Sequence, residues 1–216
     1  METSIVIQGP TNYCRDLIYS KKREIIWSTW EDEPKENIEF IKSQGVLVIQ
    51  AGPPKDSGYH NVNMQTLSSI RGIRAASNSM VFKTRGDMKF TDIDSLLDVL
   101  EKEYAERMMF LCYQNDHCPN YMVDFFSYGA RNQSHIFWNH YDQHATQASP
   151  ESQLLARYTR LMGIKDTDLT LRNNFHYFLK YLKKDICDIF WLKYPAEENG
   201  VKKSLADWQT VPYMKY

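Results

Sequence analysis

Four short apolar runs in the first 90 residues constrain the fold more than any other feature of this sequence. They are rich in Ile and Val and span residues 4–7, 24–27, 46–49 and 79–83. The segments between them have the polar or amphipathic character of helices, which we predict over residues 12–22, 36–42 and 61–76. Strands that alternate with helices indicate a parallel sheet built from right-handed crossovers. We therefore predict an α/β fold with a mostly parallel central sheet flanked by helices.

Polar or glycine-containing clusters follow each of these predicted strands. They are Gln8-Gly9-Pro10, Ser28-Thr29-Trp30, the loop 51–58 and Arg85-Gly86-Asp87. Ligands of open α/β sheets bind outside the carboxyl ends of the strands, where such clusters converge. The sequence thus predicts a binding site at this edge of the sheet.

Asp87 is the candidate carboxylate of that site, because a metal ligand is expected just after a strand. A turn or capping role is the alternative for an isolated aspartate. Arg85 lies two residues earlier and suits bidentate contact with a phosphate or a carboxylate. Lys83 and Lys89 add positive charge to the segment.

The second half of the sequence carries a different pattern. Ile93, Leu96, Leu97 and Leu100 form a helical stripe that is typical of core packing, with Thr91 as the expected cap. We predict strands over residues 108–113 and 121–128. Helices are expected to begin at Ser149-Pro150 and to cover residues 175–182.

Composition excludes several classes of protein. The chain has 216 residues, 43% of them hydrophobic, which suits a single domain. A formal net charge of -1 argues against a nucleic-acid partner. No apolar run approaches the ~20 residues that span a bilayer, and no signal peptide is recognised. Four cysteines without a metal-binding spacing favour free thiols. We expect a soluble, cytoplasmic protein, and the sequence leaves its oligomeric state open.

Five short segments in order resemble the WavE-type lipopolysaccharide-synthesis glycosyltransferases, a GT-A family. They are residues 5–10, 25–31, 61–65, 72–76 and 83–87. The resemblance covers the first half well and the second half loosely. It implies a single GT-A, Rossmann-like domain over residues 1–216, with a nucleotide-sugar-binding half over about 1–90 and an acceptor-binding half over about 91–216. Similar small domains occur in large DNA viruses, so a viral source is compatible.

The resemblance implies roles for eleven positions on the donor side. Those that would meet the nucleoside are Gln8, Gly9, Pro10, Ser28, Thr29 and Trp30. Those that would line the donor pocket are Asn63, Gln65 and Arg71. Asp87 would occupy the last position of an Asp-x-Asp motif and hold Mn²⁺ or Mg²⁺ against the diphosphate. Arg85 stands at the first position instead of aspartate, so metal binding could be weak, could rely on the donor phosphates, or could be replaced by Arg85.

Asp124 and Glu151 are the candidate carboxylates on the acceptor side. Asp124 precedes an aromatic pair, and Glu151 lies at a predicted helix start, where it could instead complement the helix dipole. Asp124 is slightly favoured as the base or as a ligand of the acceptor. His135, His140 and His144 lie close in sequence, but without matching cysteines or carboxylates they do not predict a zinc site.

These features together predict a glycosyltransferase that moves a hexose or deoxyhexose from a UDP- or GDP-linked donor to a glycan hydroxyl. A nucleotidyltransferase acting on sugar phosphates is the first alternative. It would normally carry a glycine-rich loop with a basic residue after the first strand, and residues 8–11 match that poorly. A non-catalytic nucleotide- or carbohydrate-binding module is the second alternative.

Overall fold

The computed structural model describes residues 2–103, 109–115, 118–139, 186–193, 197–198 and 201–202. For residues 59, 103, 109–115, 118–124, 197–198 and 201–202 it describes the backbone alone. All statements below concern these residues. The predicted helices that begin at residue 149 and cover residues 175–182 lie outside them.

A six-stranded sheet forms the centre of the molecule. Its strands lie in the order β3-β2-β1-β4-β7-β6. The bounds are β1 Thr3–Gln8, β2 Ile25–Trp30, β3 Leu47–Ala51, β4 Met80–Arg85, β6 Met109–Asn115 and β7 Cys118–Ala130. The first four are parallel, and β7 pairs antiparallel with β4 and with β6. The predicted mostly parallel sheet flanked by helices is confirmed.

Strands β1 and β2 are buried at every position, which explains why the sequence shows near-continuous apolar runs. Strand β2 is longer than predicted. The cluster Ser28-Thr29-Trp30, expected just beyond a strand, forms its last three residues. Their backbone groups are paired with β1 and β3, so two central hydroxyl side chains do not interrupt the strand.

Four helices accompany the sheet. They are α1 Lys35–Ser43, α2 Val62–Ala75, α3 Ile93–Glu103 and α4 Arg131–Trp138. The first three match predicted helices, and α1 is followed by Gly45 with φ +79°, a conformation common just after a helix end. Helix α4 was not predicted.

The two faces of the sheet differ in composition. On one face, Ile5, Ile7, Trp27 and Phe82 join an apolar core that includes the leucines of α3. The opposite face lies against α2 and α4. There Gly72 of α2 approaches so closely that a Cβ would lie 2.4 Å from Val6 Cγ1. Buried polar side chains are concentrated on this second face, which includes Ser28 and Lys83.

Two local predictions were wrong. Residues 12–22 form turns and bends instead of a helix. Their backbone bonds are local turns, and the Tyr19 hydroxyl donates to the Cys14 carbonyl at 2.7 Å. At the start of α3, Asp92 accepts the Ser95 N–H at 2.9 Å in the capping role assigned to Thr91. Thr91 instead bonds Asp188 from a distant part of the chain.

Further short strands extend the fold. Strand β5, Met88–Phe90, pairs antiparallel with β8, Ile189–Trp191, and β9, Glu197–Glu198, pairs with β10, Val201–Lys202. The β5–β8 pair brings the 186–193 segment beside Asp87. Within the described part of the chain, no helix is both long and apolar enough to span a bilayer.

Candidate functional site

The carboxyl ends of β1, β2 and β4 meet at one edge of the sheet. Gln8 lies opposite Ser28 on one side and Arg85 on the other. Beyond the strands, the Gly9 N–H donates to the Ser28 carbonyl at 3.1 Å, and the Gly86 N–H donates to the Gln8 carbonyl at 2.9 Å. Three of the four clusters predicted from the sequence are therefore adjacent in space.

Two glycines allow the chain to turn at this edge. Gly9 has φ +106°, which side chains larger than hydrogen rarely tolerate. Gly86 touches the first loop, since a Cβ there would lie 2.7 Å from the Pro10 carbonyl oxygen and 2.9 Å from Trp27 Cζ2. The Trp27 indole N–H also donates to the Gly9 carbonyl at 3.0 Å. Pro10 itself is exposed at the rim of the edge.

The loop after β1 is held by the segment after β2. Thr11 donates to the Glu33 carboxylate through its N–H at 2.9 Å and its hydroxyl at 2.5 Å. Asn37 of α1 donates to the Thr11 hydroxyl at 3.2 Å. Arg15, the first basic residue of this loop, lies with its guanidinium 4.5 Å from the Phe40 ring centroid. The loop is thus fixed on the α1 side.

Ser28, Thr29 and Trp30 are buried to at least 95%. Successive side chains of a strand point to opposite faces, so Ser28 and Thr29 do not meet on one side of the sheet. Among the described residues neither hydroxyl has a hydrogen-bond partner. The structure places these positions inside the sheet, below the edge where a base would bind.

The first half of α2 supplies the polar side of the same edge. The Ser68 hydroxyl donates to Gln8 Oε1 at 2.8 Å. Asn63 is fully buried and donates through Nδ2 to the Asp56 carbonyl at 3.1 Å. Gln65 is half-buried, and its Oε1 is buried without a partner among the described residues.

Arg71 of α2 reaches the ends of β2 and β3. Its Nη1 donates to the Gly52 carbonyl at 3.2 Å, and its guanidinium lies 5.9 Å from the Trp30 ring centroid. The predicted donor-side residues therefore surround one edge, with Arg71 and Arg85 on different parts of it.

A corner built from Arg85, Asp87 and Trp191 closes the β4 end of the site. Arg85 Nε donates to Asp87 Oδ1 at 2.9 Å, and Nη2 donates to Oδ2 at 2.7 Å. The Trp191 indole N–H donates to the same Oδ2 at 2.9 Å. The Arg85 guanidinium also lies 5.3 Å from the Phe125 ring centroid and 5.7 Å from that of Trp191. The fork of Arg85 is fixed by charge and by aromatic packing.

The donor set at Asp87 does not fit a divalent metal. Both carboxylate oxygens already accept charge-assisted or indole hydrogen bonds, and the side chain is 11% exposed. The neighbouring position that would supply a second carboxylate carries a cation. The described side chains contain no group of three His, Cys, Asp or Glu that could hold a metal. A metal here would have to displace a bidentate ion pair and lie beside a guanidinium.

Sequence reasoning did not identify Trp191, although it contacts both Arg85 and Asp87. Its strand has three residues, and its pairing partner lies about a hundred residues earlier. The only signal was the apolar run around residues 189–192. Phe125, whose ring centroid lies 4.6 Å from that of Trp191, belongs to the segment that the sequence singled out for Asp124.

The backbone of Asp124 lies at an irregularity of β7. Residues 110 and 111 of β6 pair with residues 127 and 123 of β7, so residues 124–126 are extra on the β7 side. Phe126 pairs with Thr84 on the other side, which places Asp124 near the carboxyl end of β4. Bulges of this kind are common next to active sites. Glu151, the other predicted carboxylate, lies outside the described residues.

His135 and Cys187 are two further titratable groups whose pKa values are shifted. His135 of α4 accepts a hydrogen bond from Arg74 Nε at 3.0 Å, and burial together with that neighbouring charge lowers its pKa. His140 and His144 lie outside the described residues. Burial raises the pKa of the Cys187 thiol, which does not favour a thiolate nucleophile there.

Comparison with known proteins gives likenesses of fold alone. No protein-family model and no curated protein sequence matches the chain. A nucleotidyl transferase from Methanothermobacter has a similar structure, with 13% identity, a TM-score of 0.48, and coverage of 85% of this chain and 95% of that one. A 4-diphosphocytidyl-2C-methyl-D-erythritol synthase from Anaerococcus prevotii gives 12% identity, a TM-score of 0.48, and coverage of 77% and 84%.

Staphylococcus aureus TarS gives 8% identity and a TM-score of 0.48, and the match covers 73% of this chain and 33% of TarS. The solved structures that resemble this chain thus include nucleotidyltransferases as well as TarS. Identities this low say nothing about the reaction. The WavE-type resemblance and a viral source stay predictions, and the functional argument depends on the residues at the sheet edge.

Proposed function

We propose that this chain is a transferase of nucleotide-activated sugars, which moves a hexose or deoxyhexose from a UDP- or GDP-linked donor to a glycan hydroxyl. The convergence of the carboxyl ends of β1, β2 and β4 at one edge of the sheet carries the proposal. Such an edge is where open α/β sheets bind nucleotides. The close approach of Gly86 to Pro10 holds the loops after β4 and β1 together, because a side chain at position 86 would collide with the Pro10 carbonyl.

Each part of the edge has a task in this proposal. The nucleoside would lie over Gly9 and Pro10, and Asn63, Gln65 and Arg71 would line the donor pocket. During transfer the acceptor oxygen bonds to the anomeric carbon while the bond from that carbon to the diphosphate oxygen breaks. The electron pair leaves with the nucleoside diphosphate. The acceptor proton goes to a carboxylate, for which Asp124 is the first candidate and Glu151 the second.

The test is release of nucleoside diphosphate from a panel of UDP- and GDP-sugars, with and without oligosaccharide acceptors. We expect Asp124→Asn to lower turnover by about 10²-fold or more, the range for a lost general base, with little change in donor affinity. Asp16→Asn is the matched control, because Asp16 is exposed in the loop after β1. If Glu151→Gln alone abolishes turnover, the base is Glu151. No diphosphate release from any donor would contradict the proposal.

Nucleotidyl transfer to a sugar phosphate is the second candidate, and Arg85 is the observation that favours it. At the end of β4, Arg85 occupies the first position of the Asp-x-Asp pair that is typical of GT-A glycosyltransferases. The two reactions release different products. Incubation with nucleoside triphosphates and sugar 1-phosphates would release pyrophosphate in nucleotidyl transfer, whereas glycosyl transfer releases nucleoside diphosphate. Pyrophosphate release without diphosphate release would replace the first proposal by the second.

A further inference from the structure

Arg85 is the cation best placed to bind a phosphate at the edge where the carboxyl ends of β1, β2 and β4 meet. It is the last residue of β4, it pairs with Gln8 of β1, and 16% of its side chain is exposed. Asp87 orients the guanidinium through Nε and Nη2, and the rings of Phe125 and Trp191 flank it. A planar guanidinium matches the geometry of a phosphate.

We infer that Arg85, and not a divalent metal, neutralises the phosphates of the bound nucleotide, with Asp87 as a positioning residue. The inference rests on the proposed function, since it assigns the phosphate-binding group of that same site. It also assigns Arg85 and Asp87 to one task, the binding of phosphate. The substitution that removes the first carboxylate of the metal motif supplies the charge that the metal would have supplied.

The role of Asp87 follows from the hydrogen bonds it accepts. The Asp87 carboxylate accepts two bonds from one guanidinium and a third from an indole. It fixes the plane of Arg85 and lowers the conformational entropy lost when a phosphate binds. The Trp191 indole N–H in turn holds the Asp87 carboxylate in place. Strand β8, which contains Trp191, therefore helps to position the site.

In the transfer step, Arg85 would act on the leaving group. As the bond between the anomeric carbon and the diphosphate oxygen breaks, the electron pair and one unit of negative charge move onto that oxygen. A guanidinium fixed beforehand stabilises this charge without reorganising at the moment of reaction. The proton of the acceptor hydroxyl goes to the carboxylate base, so Arg85 neither gains nor loses a proton.

The decisive experiment measures binding of UDP, GDP, CDP and dTDP to the full chain by calorimetry, in EDTA and again with Mn²⁺ or Mg²⁺. We expect the preferred diphosphate to bind in EDTA, with a change of less than about threefold on adding metal. Arg85→Gln is expected to weaken binding in EDTA by about 10- to 100-fold, as when charge-assisted hydrogen bonds are lost. Arg85→Lys keeps the charge without the fork and should give an intermediate loss.

Two further variants separate positioning from metal binding. Asp87→Asn keeps the size of the side chain and should weaken binding less than Arg85→Gln, equally with and without metal. Arg74→Gln is the matched control, because Arg74 bonds His135 near the far end of α2 and should leave binding unchanged. Thermal unfolding of each variant checks that it is folded, and a misfolded Arg85→Gln leaves the Arg85→Lys and Asp87→Asn comparison to decide.

The outcomes distinguish this inference from the proposed function. Binding that requires Mn²⁺ or Mg²⁺, and that loses its metal dependence in Asp87→Asn, would overturn the inference and leave the proposed function intact. Equal binding by the wild type and Arg85→Gln would also overturn it. If no nucleoside diphosphate or triphosphate binds with or without metal, the proposed function and the inference both fail.

Discussion

The two faces of the central sheet are formed by the same strands but bury different kinds of side chain. One face is apolar, with Ile5, Trp27 and Phe82 packed against the leucines of α3. On the other, Ser28 is fully buried under α2, and fully buried Lys83 has its Nζ 3.9 Å from the Trp138 ring centroid under α4. This division is possible because the side chains of neighbouring residues in a strand point to opposite faces of the sheet.

The difference shows where stability and function are separated. The apolar face buries large side chains, which supplies most of the hydrophobic free energy. The polar face buries hydroxyl and ammonium groups, and moving such groups out of water contributes little or no stabilising free energy. It continues at its carboxyl end into Gln8 and Arg85, at the candidate site. The polar interior layer that leads to the candidate site therefore lowers the stability that this face contributes.

Phe82→Ala is expected to have the largest effect, because it removes a fully buried ring from the apolar face. The ring packs against Phe90 and Phe126, with centroids 5.5 and 5.7 Å away. Its loss should lower the free energy of unfolding by about 3–5 kcal/mol, measured by urea denaturation. Leu47→Ala is the control, since Leu47 is 51% exposed and its truncation should change little. A cost below about 1 kcal/mol would show that this face is not the stabilising one.

Gly72→Ala tests how closely α2 lies on the polar face. The added methyl would stand 2.4 Å from Val6 Cγ1 and 3.3 Å from Ser28 Cβ. Overpacking should cost about 1–3 kcal/mol, partly offset by about 1 kcal/mol of helix propensity. Val6→Ala in the same chain should relieve the clash, which a double-mutant cycle by urea denaturation would reveal. Simple additivity would contradict the close approach.

Ser28→Ala tests whether the buried hydroxyl of the polar face contributes to stability. Since Ser28 Oγ is buried with no partner among the described residues, its removal should change the free energy of unfolding by less than about 1 kcal/mol and could raise it. The same chemical denaturation measures it. A loss above about 2 kcal/mol would mean that the hydroxyl makes a hydrogen bond in solution.

The smallest expected effect is a pH dependence at the α2–α4 contact. The pKa of His135 is lowered from its ordinary value of 6.5 by burial and by Arg74. The unfolded chain therefore takes up this proton first as the pH falls. The contribution of the contact is complete above pH 6.5 and is lost as the pH drops toward the folded-state pKa. His135→Gln should reduce the dependence of the unfolding temperature on pH between about pH 5 and 7. An unchanged dependence would mean that other groups cause it.

The sheet and three of its helices could be predicted because their signals are local. Runs such as residues 4–7 and the leucine stripe of α3 carry the period of their own secondary structure. The strand ends could be predicted for the same reason, since glycine and polar residues follow each run. Segment 12–22 could not, because contacts from Glu33 and Asn37 to Thr11 fix the start of its loop.

At the candidate site, sequence reasoning named individual residues but not their contacts with one another. It singled out Arg85 and Asp87 separately, whereas the structure joins them as one ion pair. Trp191 escaped notice because its contact with Asp87 spans 104 residues of chain. Ser28 and Thr29 were predicted together, yet the strand that contains them turns them to opposite faces. Pairing across long sequence distances is the information that local patterns do not carry.

The 104 residues that separate Asp87 from Trp191 also set the order in which the site is completed during synthesis. All four parallel strands have been translated by residue 85, but Trp191 follows about a hundred residues later. At about 5–20 residues per second, the ribosome needs roughly 5–20 s to cover that interval. During this time the nascent chain can assemble its sheet while the Asp87 carboxylate lacks its indole donor. The candidate site is therefore completed late, and a chain that stalls before residue 191 would carry the sheet without the Trp191 contact to Asp87.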